Sequence, residues 1–171
     1  MNIEKRSIVI LFVFFLSCGK NIKTVTKVEN MYSKIKKELA PDKRTELFDI
    51  QFHLSNGAII LKGETTSKKA LSRLQDSLKY SQVNFKSEVR ILPDSSLENR
   101  QFAIAKNSVI NIRSNPKHSA ELGTQGLLGM ALRVLDKKGD FYRIQTPDNY
   151  ISWVDKGGIK RMIKRDFDLW N

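Results

Sequence analysis

Cysteine and histidine are scarce in this chain of 171 residues, and their scarcity excludes several kinds of site. Cys18 is the only cysteine, so no disulfide can form within one chain. The two histidines, His53 and His118, lie far apart in the sequence without a cysteine beside them, which makes a poor set of zinc ligands. The glycines between residues 123 and 129 lack the following Lys-Ser/Thr of a phosphate-binding loop. We therefore predict no bound metal and no cofactor.

Long apolar runs are also rare, and the longest lies at the amino terminus, where residues 8–16 follow Lys5 and Arg6. A membrane-spanning helix needs roughly 20 apolar residues, so this run predicts a signal peptide, residues 1–17, rather than a spanning anchor. Leu16-Ser17-Cys18-Gly19 follows and resembles the lipobox of bacterial lipoproteins. The resemblance implies cleavage before Cys18 and lipidation of that residue. A secretory signal with an incidental cysteine is the alternative.

These features bear on catalysis and on location. A cysteine peptidase needs a thiolate with a histidine base, and an acylated Cys18 offers no thiol. His53 lies on the polar side of an alternating strand and His118 lies in a turn, so both are predicted to be solvated surface residues. We therefore predict no catalytic residues and no enzymatic activity in this chain.

Since two or more acyl chains anchor a protein stably, we predict a lipid-anchored envelope protein facing the periplasm, with the outer membrane favoured.

Acidic residues are outnumbered, 18 against 30 lysines and arginines, which gives a net charge of +12. Such a charge suits an acidic neighbour: nucleic acid, anionic lipid headgroups or a wall polymer that carries carboxylates. Export and the lack of a basic stripe rich in aromatic residues argue against nucleic acid. Because the positive residues are dispersed along the chain, a solvated surface that keeps the protein soluble is the alternative.

The segment from 18 to 96 has the pattern of a tether followed by an α+β domain. Residues 18–27 are polar and charged, and apolar residues at helical spacing follow them. Residues 48–54 alternate between apolar and polar, as in a half-buried strand. Asn56-Gly57 is the favoured pair of a two-residue type I′ hairpin turn, and an apolar return strand follows it.

A second helix and a third strand complete this domain. Thr66 or Ser67 can cap a helix that carries Ala70, Leu71, Leu74 and Leu78 on one face. A last strand ends at Leu92-Pro93-Asp94. The order α-β-β-α-β predicts helices on one face of a small antiparallel sheet. We name residues 28–96 the leader domain.

Short strands separated by turn residues fill the chain from Ser108 to Trp153, which is typical of a small β-barrel. Lys138-Gly139-Asp140 is typical of a hairpin loop, and Pro147-Asp148-Asn149 of a turn before the last strand. The predicted fold class is therefore α+β: a small helix and antiparallel-sheet domain, followed by an all-β barrel over residues 102–163. We name the latter the barrel module.

The barrel module resembles the bacterial SH3-like (SH3b) domain. The matching runs are N-I-R-S-x-P at 111–116, G-M-x-L-R-V-L at 129–135 and F-Y-R-I-Q-T-P-D-x-Y-I-x-W-V at 141–154. The run P-x-H-S-A-E-L-x-T-Q-x-L-L-G at 116–129 resembles the first SH3b domain of NlpC-type cysteine peptidases, which cut γ-D-glutamyl bonds in peptidoglycan fragments. Phe141, Asn149 and Ser152 depart from the usual Trp, Gly and Gly.

The leader domain adds to this resemblance through A-P-D-K-R-x-x-L-F at 40–48, L-K-G-E-T at 61–65 and I-L-P-D at 91–94. No chemistry can be read from these runs, so the leader domain is predicted to be a spacer or a packing partner. In these peptidases, an acidic side chain and a tyrosine side chain of the first SH3b domain bind the free amino terminus of the peptidoglycan stem peptide. The resemblance implies that Glu121 and Tyr150 form a substrate-binding half-pocket here. A solvated loop carboxylate and cross-strand packing, respectively, are their alternatives.

Two functions follow from these observations. In the first, the chain is a non-catalytic envelope lipoprotein that binds peptidoglycan stem peptides or muropeptides, a truncated form of an NlpC-type wall peptidase. Its partners are then peptidoglycan, the membrane through the lipid anchor and a catalytic domain in trans. The segment 164–171 is expected to start a linker helix toward a further domain, with Phe167 and Trp170 on one face. In the second, the chain is a complete stand-alone binding lipoprotein or an interaction module for another envelope protein.

Overall fold

The structure, a computed structural model, describes residues 16–170, with side chains from residue 23 onward. Two sheets with three helices make up this part of the chain, and the predicted α+β class is confirmed. The predicted signal peptide lies almost wholly outside the described residues, and so does the side chain of Cys18. The boundaries given above for the signal peptide and the two domains stay predictions.

The first helix, α1, spans Leu16–Leu39 and is longer at its start than the sequence indicated. Residues 18–27 were expected to be a tether, but their backbone is helical. The reason is that the apolar stripe extends backward: Val25 packs against the same core as Val28 and Ile35. Residues three and four apart share a helix face. Val25 therefore lies on the same face as Val28, and the packed part of the helix starts before residue 28.

A hairpin follows, made of β1 (Phe48–Ser55) and β2 (Ala58–Thr65). Ser55 pairs with Ala58, so Asn56-Gly57 alone forms the loop. Both loop residues have positive φ, 49° and 74°, as a type I′ turn requires. The predicted turn and the return strand that follows it are confirmed.

The second helix, α2 (Lys68–Tyr80), begins at Ser67, whose side chain accepts a hydrogen bond from the Ala70 backbone N–H. Its buried face holds the four residues that the spacing predicted: Ala70, Leu71, Leu74 and Leu78. The next strand, β3 (Phe85–Ile91), pairs with β2 in parallel, which differs from the antiparallel pairing expected for this sheet. The physical reason is that α2 carries the chain back across the sheet, so β3 enters from the same end as β2.

The barrel module is a seven-stranded antiparallel sheet in the order β10-β4-β7-β8-β9-β5-β6. Its strands are β4 (Phe102–Ala105), β5 (Val109–Arg113), β6 (Leu122–Leu127), β7 (Ala131–Lys138), β8 (Phe141–Gln145), β9 (Ile151–Asp155) and β10 (Ile159–Met162). One buried cluster fills its interior, with Ile112, Val134 and Ile144 fully inaccessible to solvent. The predicted strand series is confirmed.

Two of the three departures from the SH3b pattern have a local explanation. Asn149 has a φ of 68°, the left-handed conformation in which glycine is usual and asparagine is tolerated. Ser152 is buried, and its hydroxyl donates a hydrogen bond to the Arg113 carbonyl on the neighbouring strand. Its extra polar atom is therefore satisfied in the interior.

A short helix, α3 (Lys164–Trp170), follows the barrel module. Phe167 packs on Phe102 of β4, with ring centroids 4.9 Å apart. This contact holds the helix against β4. Trp170 is 58% exposed, and its ring lies beside Gly129. Across residues 16–170, no helix has the length and apolar character needed to cross a bilayer.

Candidate functional site

Glu121 lies at the end of the loop that joins β5 to β6. Its backbone carbonyl accepts a hydrogen bond from the Ser114 N–H at 3.0 Å, which closes the loop on itself. The Arg113 guanidinium donates to the carbonyl of Ala120, a buried residue, at 2.8 Å. The loop backbone is thus fixed from inside, while the Glu121 side chain is exposed. A carboxylate held in this way is available to a ligand.

Tyr150 lies at the start of β9, in a turn closed by Thr146. The Tyr150 backbone N–H donates to the Thr146 hydroxyl at 3.0 Å, and the Thr146 N–H donates to the Tyr150 carbonyl at 3.0 Å. The ring is partly buried against the barrel core. No hydrogen bond of its hydroxyl is seen within the described part of the chain, and the Arg44 guanidinium lies close enough to interact with the phenol electrostatically.

Gly123 on β6 lies directly beneath the phenol of Tyr150. A Cβ at this glycine would lie 2.5 Å from the Tyr150 hydroxyl oxygen, so the phenol passes directly over the backbone of β6. Gly123 is two positions after Glu121, at the point where the pairing of β6 with β5 shifts register. No hydrogen bond joins Glu121 to Tyr150 among the residues described. The structure thus places Tyr150 beside the strand that follows Glu121, and the Tyr150 ring also packs against the barrel core.

A loop of the leader domain contacts the barrel beside Tyr150. The sequence did not predict which residues make this contact. The Arg44 carbonyl accepts a hydrogen bond from the Ile151 N–H at 2.6 Å, and the Thr45 carbonyl accepts one from the Gln145 side chain at 3.2 Å. Asp42 receives two guanidinium nitrogens of Arg44 at 2.8–3.1 Å. These hydrogen bonds lower the pKa of Asp42 to about 2, so it stays ionised beside the surface.

An ion-pair network joins the two modules at a second place. Arg90 on β3 donates to Asp136 on β7 at 2.8 Å and to Glu64 on β2 at 2.7 Å. Asp136 is 8% exposed, and its hydrogen bond is the main reason that the pKa of Arg90 is raised. Arg143 on β8 donates to Glu64 at 2.5 Å, and its guanidinium stacks 4.6 Å from the centroid of Trp153. The orientation of the modules is therefore set in part by charged groups, of which Asp136 and Arg143 are largely buried and Arg90 is about half exposed.

A β-bulge in β7 helps to build this junction. The pairing of β7 with β8 shifts register between Val134 and Asp136, and bulges re-aim the side chains around them. Leu135, the residue inside the bulge, accepts a hydrogen bond at its carbonyl from the Asp94 N–H at 2.8 Å. The irregularity of the strand thus provides both a backbone contact and the position of Asp136.

The histidines lie apart from each other, in different modules. His53 is exposed on β1 opposite Ile60. The ring of His118 lies 5.0 Å from that of Phe141, and its Nε2 is 3.6 Å from Asp155. Among the side chains that the structure describes, from residue 23 to residue 170, no group of three or more His, Cys, Asp or Glu is arranged to hold a metal ion.

Comparison with known families adds one finding. The sequence model of a family described as the bacterial dipeptidyl-peptidase SH3 domain matches residues 112–159, a segment that contains both Glu121 and Tyr150. The barrel is an SH3b module. Its match covers a little over a quarter of the chain, so it identifies the module alone. No curated protein matches the chain.

Proposed function

We propose that this chain is a non-catalytic lipoprotein of the cell envelope whose SH3b module binds peptidoglycan stem peptides. The observation that carries the proposal is the exposed carboxylate of Glu121, which projects from a loop whose backbone is fixed by hydrogen bonds. The Tyr150 phenol, which lies over Gly123 on the strand that follows, supports it. A carboxylate opposite an ammonium recognises a free amino terminus, and a hydroxyl can accept or donate beside it.

The relation to NlpC-type peptidases is part of this proposal. Its support is the run A-P-D-K-R-x-x-L-F, which includes the loop that touches the barrel next to Tyr150. In this proposal the leader domain is more than a spacer, because Arg44 and Thr45 fix the turn from which Tyr150 projects. Cleavage of the bound peptide would then need a catalytic domain supplied in trans.

An NMR titration tests the proposed site. The full chain, purified in detergent, is titrated with the tripeptide L-alanyl-γ-D-glutamyl-diaminopimelate, which has a free alanyl amine. We expect saturable shifts of the amides of Glu121, Gly123 and Tyr150. Glu121→Gln should remove the charge that faces the ammonium and weaken the response about tenfold or more. Glu98→Gln, an exposed glutamate elsewhere on the chain, is the control. Equal responses in both variants would place the peptide elsewhere.

One observation favours a second function, docking to another envelope protein. Leu127 and Leu128 are 66% and 64% exposed, and Trp170 beside Gly129 extends this apolar surface. They lie at β6, the last strand in the sheet order. Exposed apolar patches next to an open strand edge commonly bind other chains. If this function holds, Leu127→Ser with Leu128→Ser would abolish capture of an envelope protein and leave tripeptide binding intact.

A further inference from the structure

A cavity of about 750 Å³ opens where the leader domain meets the SH3b module. It lies between the start of α2, the end of β3 with the turn that follows, and β7. The residues that matter for its charge and hydrogen bonding are Lys68, Arg90, Asp94, Ser95, Gln101 and Arg133. Its volume falls within the range of about 300–1,000 Å³ typical of small-molecule sites, which favour domain interfaces.

Positive charge predominates in this cavity, because its one carboxylate is already engaged. Asp94 accepts a hydrogen bond from the Ser96 N–H at 2.9 Å and another from Arg90 at 3.0 Å. Hydrogen bonding by Ser96 is the main cause that lowers the pKa of Asp94, so it is ionised and paired. Arg90 is engaged in turn with Asp136 and Glu64.

Two cations remain on the wall, Lys68 and Arg133. Neither has an acidic partner among the residues that the structure describes. Lys68 is the first residue of α2, so the positive end of the helix dipole adds to its field. Arg133 lies on β7, opposite Phe102 and Gln145, and its side chain is exposed. The cavity therefore carries about two positive charges that nothing described in the chain neutralises.

We propose that the junction cavity binds a small ligand through a carboxylate or phosphate group held by Lys68 and Arg133. A guanidinium forms two parallel hydrogen bonds to such planar or tetrahedral oxyanions, and an ammonium adds a point charge. The hydroxyl of Ser95 and the side chain of Gln101 supply further polar groups on the same wall. Arg90 is already paired with Asp136 and Glu64. Lys68 and Arg133 are therefore the cations that bind the oxyanion.

The experiment uses simple anions, so that it does not depend on wall peptides. The full chain in detergent is titrated with citrate and, separately, with inorganic phosphate at constant ionic strength, and backbone amides are followed by NMR. We expect saturable shifts at Ile91, Ser95 and Arg133 with at least one probe. A response to citrate alone assigns the site to carboxylate ligands, and a response to phosphate assigns it to phosphate esters. No saturable shift with either probe would overturn the proposal.

Two double variants decide whether the cavity or net charge is responsible. Lys68→Gln with Arg133→Gln should weaken the binding of the responding anion at least tenfold. Lys117→Gln with Lys138→Gln removes the same charge from exposed positions of the SH3b module and should change the affinity less than twofold. Equal losses in the two variants would contradict a specific site. Either outcome leaves the proposed role of Glu121 and Tyr150 to its own test.

Discussion

The guanidinium of Arg90 lies 2.8 Å from the carboxylate of Asp136 and joins the leader domain to the SH3b module. The two partners differ in their access to solvent: the side chain of Arg90 is 48% exposed and that of Asp136 is 8% exposed. Removing the arginine would leave a nearly buried carboxylate without its cation, which costs more than the pair itself contributes. This contact therefore helps to hold the two modules in place, together with the hydrogen bonds that the carbonyls of Arg44 and Leu135 accept.

Arg90→Gln should lower the free energy of unfolding by about 1–3 kcal/mol, because Asp136 would lose its charged donor and remain desolvated. Urea unfolding measures this loss. Arg165→Gln is the matched control, since Arg165 pairs with Asp166 on an exposed surface. Exposed pairs contribute about 0–1 kcal/mol. An effect of Arg90→Gln no larger than that of the control would show that the junction does not depend on the ion pair.

Much of the leader domain could be predicted from sequence, because local signals decide its elements. Asn56-Gly57 specifies its own turn, and Ser67 with the apolar stripe of α2 specifies a cap and a buried face. The parallel pairing of β3 could not be predicted from alternation, since the same pattern fits both directions. Arg90 and Asp136 are 46 positions apart, and the sequence alone does not indicate which acidic residue a given arginine will pair with. Glu121 and Tyr150 stay site predictions that rest on resemblance, and the close approach of Tyr150 to Gly123 could be seen only in the structure.

Gly123→Ala should displace the Tyr150 phenol, because the new methyl group would lie 2.5 Å from the hydroxyl oxygen. Because Gly123 is exposed and the contact is with the far end of the Tyr150 side chain, we expect a loss of at most about 1 kcal/mol in the free energy of unfolding. Tyr150→Phe in the same chain removes the clashing oxygen and should restore most of that loss. Thermal unfolding of both variants gives the answer. Failure of the second substitution to rescue the first would mean that Tyr150 does not lie over β6.

Acid should destabilise the chain between about pH 4 and pH 2. The pKa of Asp42 is lowered from 3.8 to about 2 in the folded chain by hydrogen bonds from Arg44. A carboxyl with a depressed folded pKa stabilises the fold above its unfolded pKa, and this contribution is lost as the pH falls through the folded value. Asp42→Asn should therefore lower stability at pH 7, and its stability should converge with that of the parent as the pH falls below about 2. Parallel stability curves for the two proteins would contradict this assignment.

Cys18→Ser should release the protein from the membrane fraction or leave it unprocessed. The expectation follows from the apolar run at 8–16 and from Leu16-Ser17 before the cysteine, which together resemble a lipoprotein signal. Fractionation of cells, with immunoblotting for size, measures both results. A variant that keeps the mature size and the membrane partition of the parent would show that Cys18 is not the anchor.

The most direct test of the proposed function compares two forms of one peptide. Calorimetry of the full chain in detergent measures binding of L-alanyl-γ-D-glutamyl-diaminopimelate with a free or an acetylated alanyl amine. We predict weak binding of the free form, with a Kd around 1 mM or roughly −4 kcal/mol, and no measurable binding of the acetylated form, because Glu121 recognises the ammonium. Equal affinity for the two peptides would contradict recognition of a free amino terminus by the SH3b module.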